Sequence, residues 1–140
     1  MKKYNTKFTQ LKNIFRILHG KRGCIWDKEQ THKSLIPYLK EEADELIEAI
    51  NNNDFSHMKE ELGDLLIQVM FHSQIASKEG HFNVEDVIDY LIKKLKRRHP
   101  HVFGKTKVRS AKEIIVNWGK IKRKERKGFY ERRTKKNKNR

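Results

Sequence analysis

Hydrophobic residues recur along most of this chain at intervals of three and four positions, the spacing of one face of an α-helix. The first such face consists of Phe8, Leu11, Phe15 and Leu18, and it stops at Gly20, a residue typical of helix ends. Residues 21–27 are then predicted to form a loop. Strict alternation of apolar and polar residues, the signal of a strand, is absent. The pattern therefore predicts an all-α fold, a helical bundle of about four to five helices.

The second and third predicted helices differ in how much of their surface is apolar. The second begins near Asp27 or Ser34 and has one apolar face, made of Leu39, Ala43, Leu46 and Ile50. The third, residues 59–77, has apolar residues around most of its circumference and is expected to be buried on nearly every side. Four short helices give little cover for such a helix, so we expect a second copy of the chain to supply it, as a homodimer.

Capping signals define the last two predicted helices. Asn83 is a suitable N-cap with Asp86 three residues later, and Pro100 prevents this fourth helix from continuing. Ser110 and Glu113 form the S-x-x-E pattern of a capping box, which predicts the start of a fifth helix.

Four carboxylates are placed in two pairs, Glu42 with Glu45 and Glu61 with Asp64. Residues three apart are neighbours on a helix face, and the two pairs lie at equal distances on either side of residue 53. An antiparallel helical hairpin that turns at residue 53 therefore brings all four level. Ionised carboxylates on a largely buried helix are unfavourable unless they are paired or bind a cation, so this acidic hairpin predicts a metal site.

The types of side chain indicate which metal and which substrate this site would take. Oxygen ligands suit Mg²⁺, with Mn²⁺ as a substitute, and the single cysteine, Cys24, leaves a thiolate zinc site without partners. Because Mg²⁺ usually completes its shell with substrate phosphates, the implied substrate is a polyphosphate. Lys94 and Arg98, with Arg97 beside them, could neutralise those phosphates during hydrolysis.

Composition limits the remaining alternatives. With 140 residues, of which 36% are hydrophobic, we expect one domain, residues 1–122, followed by a basic and disordered tail, residues 123–140. No apolar run is long enough to span a membrane, and a cytoplasmic protein is expected. Residues 120–140 contain twelve Lys and Arg against two Glu, which is +10 of the net charge of +15. Such a tail is more often a solvated extension than a nucleic-acid site, although a basic nucleic-acid-binding module stays the main alternative function.

Four segments in a fixed order resemble the MazG nucleoside triphosphate pyrophosphohydrolases. They are residues 24–31 (CIWDKEQT), 41–45 (EEADE), 61–64 (ELGD) and 97–103 (RRHPHVF), and the similarity extends from about residue 11 to residue 122. This resemblance implies an all-α enzyme, usually dimeric, that uses Mg²⁺ to hydrolyse NTPs or dNTPs to the monophosphate and pyrophosphate.

The resemblance also implies roles for individual residues. Glu42, Glu45, Glu61 and Asp64 would be the metal ligands, and Glu41 a supporting carboxylate or base. Lys94 and Arg98 would contact phosphates, with Arg97 beside them as a further candidate, and Trp118 with Lys122 would close the site. Trp26 could stack on the base or fill the end of the bundle. Gly119 stands where family members often have Glu, and this departure leaves an inactive dimerising paralogue as a third hypothesis.

Overall fold

A computed structural model describes residues 5–139, with only the backbone of Tyr130, and these residues form helices without any strand. The all-α prediction is thereby confirmed. Two of the seven helices in the described range, α2 and α6, were not predicted, since four or five residues are too few to show a helical period. The helices are α1 (Lys7–Leu18), α2 (Ile25–Glu29), α3 (Ile36–Asn51), α4 (Phe55–Lys78), α5 (Val84–Arg98), α6 (Pro100–Phe103) and α7 (Ala111–Lys138).

The chain forms two compact units, which divide between Val87 and Ile88. In the first unit, α4 packs against both α3 and α1. Its core is a cluster of buried residues from α1, α4 and the N-cap of α3: Phe15, Leu35, Met70, Phe71 and Ile75. This core holds α3 and α4, the two helices that carry the acidic residues, against each other.

Helix ends in the first unit follow the local chemistry of the sequence. Asn83 and Asp86 bond reciprocally: the Asp86 amide donates to Asn83 Oδ1, and the Asn83 amide donates to Asp86 Oδ2. The turn between α3 and α4 contains Asn53 with φ of 50°, a left-handed conformation that Asn tolerates better than most residues. Asp54 then caps α4 by accepting a hydrogen bond from the His57 amide.

Helix α4 is only partly buried in a single chain. Its second half supplies most of the core, but five large apolar side chains stay more than 40% exposed in the single chain: Phe55, Leu62, Leu66, Ile67 and Val69. Because we expect a second copy of the chain to supply the missing cover, burial of this helix on nearly every side stays a prediction.

The second unit contains the rest of α5, together with α6 and α7. Ser110 caps α7 as predicted, accepting a hydrogen bond from the Glu113 amide. Helix α7 continues to Lys138, whereas a disordered tail was expected from residue 123. Lys, Arg and Glu are strong helix formers, which explains why a polar composition does not end this helix. The proposed boundary of the enzymatic domain at residue 122 stays a prediction. None of the helices in the described part of the chain combines the length and apolarity that a membrane span requires.

Candidate active site

Helices α3 and α4 bring carboxylates together in two overlapping groups. Glu42, Glu45 and Glu61 each offer an oxygen atom, and these atoms all lie within 4.8 Å of one another. Asp64 belongs to a second group, with Glu60 and Glu61, that meets the same limit. Glu61 is common to both groups, so the four carboxylates that the spacing argument selected form one continuous acidic cluster.

Glu61 lies at the centre of this cluster and is almost completely buried, at 3% exposure. One of its oxygens, Oε1, is 3.2 Å from Nε2 of His57, one turn earlier in α4. Its other oxygen, Oε2, and Oε2 of Glu42 are both buried, and neither has a hydrogen-bond partner among the described residues. A buried carboxylate oxygen without a partner is strongly unfavourable, so both atoms need a donor or a cation.

Crowding within the cluster raises the proton affinity of Glu42 and Glu45. Burial, a hydrogen bond that protonated Glu42 can donate to Glu61, and repulsion from Asp64, Glu61 and Glu45 together raise the pKa of Glu42 from 4.5 to about 7. A hydrogen bond with Glu61, followed by repulsion from the same residue, also raises the pKa of Glu45. Without a cation, the cluster therefore retains a proton near neutral pH.

These features fit a divalent cation bound by oxygen ligands. The two unpartnered oxygens belong to Glu42 and Glu61, which are members of the same acidic cluster, and carboxylates are the ligands that Mg²⁺ and Mn²⁺ prefer. Among the described residues, neither acidic group contains a cysteine. Glu41 is exposed and belongs to neither group, although its charge contributes to the raised pKa of Glu45.

An aromatic cavity of about 150 Å³ adjoins the acidic cluster, because Glu42 and Asp64 form part of its wall. Trp26 packs edge-on against Tyr38 and Phe71, with ring centroids 5.7 Å and 6.1 Å apart. The volume is well below the roughly 300 Å³ of a site for a drug-sized ligand. It can therefore accommodate one ring of a ligand, with the remainder outside.

Gln68 supplies a polar group to the same cavity. It lies one turn after Asp64 on α4, is only 6% exposed, and its Oε1 is buried without a hydrogen-bond partner among the described residues. Gln68 follows Asp64 by four residues and so lies on the same side of α4, but nothing in the sequence indicates that its amide oxygen lacks a partner. His57 and Glu60 were also missed, although His57 precedes Glu61 by four residues, a spacing that allows side-chain contact on a helix.

His72 continues this polar side of α4 but contacts another histidine. Its Nδ1 lies 2.8 Å from Nδ1 of His32, and the two rings stack nearly parallel. Burial, and then the charge of His32, lower the pKa of His72. A neutral, hydrogen-bonded histidine is therefore favoured at this position.

The basic residues that the sequence assigned to phosphate binding lie in the second unit. Arg97 Nε donates to Glu125 at 2.7 Å, and Arg98 Nη2 donates to the same carboxylate at 2.9 Å. Trp118 Nε1 donates to the backbone carbonyl of Arg98 at 2.8 Å, which fixes the indole ring beside α5. Lys94 is half-buried on α5.

The remaining predicted residue of this unit, Lys122, is exposed on α7. Helix α7 continues without interruption through Gly119, between Trp118 and Lys122.

Comparison with known proteins relates this geometry to a family. Residues 30–103 match the model of the MazG nucleotide pyrophosphohydrolase domain, a range that includes all four predicted metal ligands and Arg98. This chain belongs to the MazG nucleotide pyrophosphohydrolase domain family. The match ends before Trp118 and Lys122, so it does not bear on either residue.

Relatives of this MazG chain are similar over most of its length. It is 51% identical over 126 residues to the nucleoside triphosphate pyrophosphohydrolase/pyrophosphatase MazG of Thermotoga maritima, which covers 90% of this chain and 48% of the relative. It is 48% identical over 120 residues to protein YabN of Bacillus subtilis, covering 86% of this chain and 24% of that protein. The chain thus spans between about a quarter and a half of the length of these curated relatives.

A solved structure supports the same fold. The crystal structure of a mazG-related protein from Thermotoga maritima superimposes with a TM-score of 0.67 at 28% sequence identity. The superposition covers 83% of this chain and 98% of the other chain. The MazG fold is therefore shown both by sequence and by structure.

Proposed function

We propose that this MazG chain hydrolyses nucleoside triphosphates to the monophosphate and pyrophosphate in a reaction that depends on Mg²⁺. The observation that supports the metal dependence most is the pair of buried, unpartnered oxygens on Glu42 and Glu61 within one acidic cluster. The family supports a nucleotide substrate, and the name of the Thermotoga maritima relative supports a triphosphate.

The proposed metal ligands are Glu42, Glu45, Glu61 and Asp64, held by an antiparallel hairpin of α3 and α4. When bound, Mg²⁺ or Mn²⁺ would neutralise charge that develops on the phosphates and act as a Lewis acid. His57 Nε2 lies 3.2 Å from Glu61 Oε1, which leaves Glu61 Oε2 as the oxygen without a partner that a cation could contact. The exposed carboxylate of Glu41 is proposed as the base that accepts a proton from the attacking water.

The aromatic cavity is the proposed binding place for the base of the nucleotide. Trp26 and Phe71 offer ring surfaces, and the unpartnered Oε1 of Gln68 can accept a hydrogen bond from an exocyclic amino group or ring N–H. Because Glu42 and Asp64 line the same cavity, a base bound there would direct the phosphates towards the acidic cluster.

Other parts of this proposal rest on the sequence. The substrate-binding residues of the second unit stay predictions: Lys94, Arg97, Arg98, Trp118 and Lys122. Arg97 and Arg98 would have to break their ion pairs with Glu125 in order to contact a phosphate. A homodimer is proposed because five large apolar side chains of α4 are exposed in one copy.

The test is hydrolysis by the Asp64→Asn variant. Asn keeps the size of Asp64 but removes its charge, so we expect pyrophosphate release with Mg²⁺ to fall by at least about 100-fold, the lower end of losses seen when a key electrostatic group is removed. Asp44→Asn on the exposed side of α3 is the matched control and should retain activity. Circular dichroism checks that both variants keep the helical fold. Full Mg²⁺-dependent turnover by Asp64→Asn would contradict the site assignment.

A further inference from the structure

Charge is divided very unequally between the two units of this protein. The sequence up to Val87 has 12 Lys and Arg against 14 Asp and Glu, a net charge of −2. From Ile88 onwards there are 21 Lys and Arg against 4 Asp and Glu, a net charge of +17. All of the net positive charge of the chain therefore belongs to the second unit, and this unit as a whole is suited to a polyanion.

Helix α7 presents this charge on a long and regular support. At 100° per residue, the cations between Lys120 and Lys138 fall on every side of the helix rather than on one face. A helix that binds a membrane surface needs a continuous apolar face opposite its charges, and this part of α7 has none. The distribution favours a nucleic acid over a lipid surface.

A cavity of about 460 Å³ in the second unit combines aromatic rings with cations. The rings are those of Tyr90 and Phe129, which are 65% and 53% exposed, and the cations that line the same cavity are Arg97, Lys124 and Arg132. Proteins that bind single strands use this combination, because a base stacks on a ring while the cations contact the backbone. In a duplex, neighbouring base pairs cover the faces of each base, so the bases are not available to stack on such rings.

The one acidic residue among the described lining residues of this cavity is already neutralised. Glu125 is contacted by both Arg97 and Arg98, at 2.7 Å and 2.9 Å. These contacts, with Arg98 first, lower the pKa of Glu125 to about 2, so the ion pairs persist at physiological pH. Lys124 and Arg132 have no salt bridge within residues 5–139, which leaves two cations of the cavity for a ligand.

We propose that the second unit binds single-stranded nucleic acid, with Tyr90 and Phe129 stacking on bases and Lys124 and Arg132 contacting phosphates. This binding site lies outside the acidic cluster and does not depend on nucleotide hydrolysis. RNA and DNA share the chemistry that the cavity recognises.

The experiment uses the full chain and fluorescein-labelled oligonucleotides of about 16 nucleotides, the upper site size of one single-strand-binding fold. Fluorescence anisotropy is measured with single-stranded RNA, single-stranded DNA and duplex DNA between about 50 and 200 mM salt. Tyr90→Leu/Phe129→Leu removes both rings but keeps apolar side chains that are compatible with a helix. Lys124→Glu/Arg132→Glu reverses the two charges.

The matched control is Lys21→Glu/Lys33→Glu, which changes net charge equally at exposed positions of the first unit. We expect the ring variant to lose about 5- to 150-fold in affinity for single strands, the range for one stacked base, with no change for the duplex. The charge variant should bind more weakly, and its slope of log affinity against log salt concentration should be smaller by about 1.4, which is about 0.7 for each phosphate that is no longer neutralised. The control should show neither change. All variants should still hydrolyse nucleotides if the wild type does.

Three results would overturn the proposal. One is absence of salt-sensitive binding by the wild type. Another is an equal loss of affinity in the control and the charge variant, which would mean that net charge alone determines binding. The last is a ring variant that binds single strands as well as the wild type does. Sedimentation of the protein with phosphatidylserine vesicles would not change that conclusion.

Discussion

The raised pKa of Glu42 leads to a prediction about stability that needs no substrate. Below pH 4.5 Glu42 is protonated in both the folded and the unfolded protein, and its full contribution to the free energy of unfolding is present. As the pH rises through about 7, the folded protein must ionise Glu42 beside Glu61, Asp64 and Glu45, and this contribution is lost. The metal-free wild type therefore loses stability from this group between pH 4.5 and about pH 7.

The magnitude follows from the size of the pKa change. A rise from 4.5 to about 7 corresponds to about 3 kcal/mol, at 1.36 kcal/mol for each pH unit. Glu42 is partly exposed, and solvent screening reduces this figure, so we expect about 1–2 kcal/mol. Glu42→Gln keeps the shape and hydrogen-bonding capacity of the neutral side chain at every pH and should avoid the loss.

The assay is urea unfolding at about pH 5 and about pH 8 for the wild type and Glu42→Gln, each with EDTA and with Mg²⁺. With EDTA, the two proteins should have nearly equal free energies of unfolding at the lower pH, and the variant should be more stable by about 1–2 kcal/mol at the higher pH. With Mg²⁺, the order at the higher pH should reverse, because only the wild type retains all four proposed ligands.

Two histidines also change the free energy of unfolding with pH. The effect of Glu42 is therefore measured as the difference between wild type and variant at each pH, rather than as the change in one protein between two pH values. Burial lowers the pKa of His19 and of His72, so each contributes stability that is lost as the pH falls below 6.5, opposite to Glu42. Both are present in the wild type and in the variant and cancel in the difference. Glu48→Gln, an exposed position on the same helix, is the control. A difference between wild type and Glu42→Gln that does not change with pH would refute the reasoning.

Two further predictions concern α7 and the aromatic cavity. A methyl group at Gly119 would meet only the Nη1 atom of Arg123, at an ordinary 3.4 Å, so Gly119→Ala should raise the free energy of unfolding by about 0.5–1 kcal/mol in urea titrations, and a decrease would contradict this account of α7. Gln68→Leu should lower kcat/KM for nucleoside triphosphates by about tenfold but leave hydrolysis of inorganic tripolyphosphate unchanged, since only the base would lose a hydrogen-bond partner. Gln74→Leu on the same helix is its control, and an equal fall with both substrates would exclude a role in base binding.

Local chemistry explains which helix ends were predictable. Asn83 with Asp86 and Ser110 with Glu113 act over three residues, so their bonds depend little on the remaining fold. The proximity of the acidic pairs was also predictable, because a turn at Asn53 and a regular helical rise determine which positions of α3 and α4 are level.

Properties that depend on distant packing could not be read from the sequence. Leu62 and Leu66 are apolar and yet exposed, because their exposure depends on which neighbour covers α4. The unpartnered Oε1 of Gln68 depends on side chains from several segments that line one cavity. The helical form of residues 123–138 was missed because low hydrophobicity was given more weight than the helix propensity of Lys, Arg and Glu.

The most direct test of the central claim is to identify the products of hydrolysis. The purified wild type is incubated with a panel of NTPs and dNTPs and Mg²⁺, and ³¹P NMR follows the phosphorus signals. We predict that pyrophosphate and the nucleoside monophosphate form together, that EDTA prevents the reaction, and that Asp64→Asn does not support it. Release of orthophosphate with the nucleoside diphosphate, or equal turnover in EDTA, would contradict a Mg²⁺-dependent pyrophosphohydrolase built on this acidic cluster.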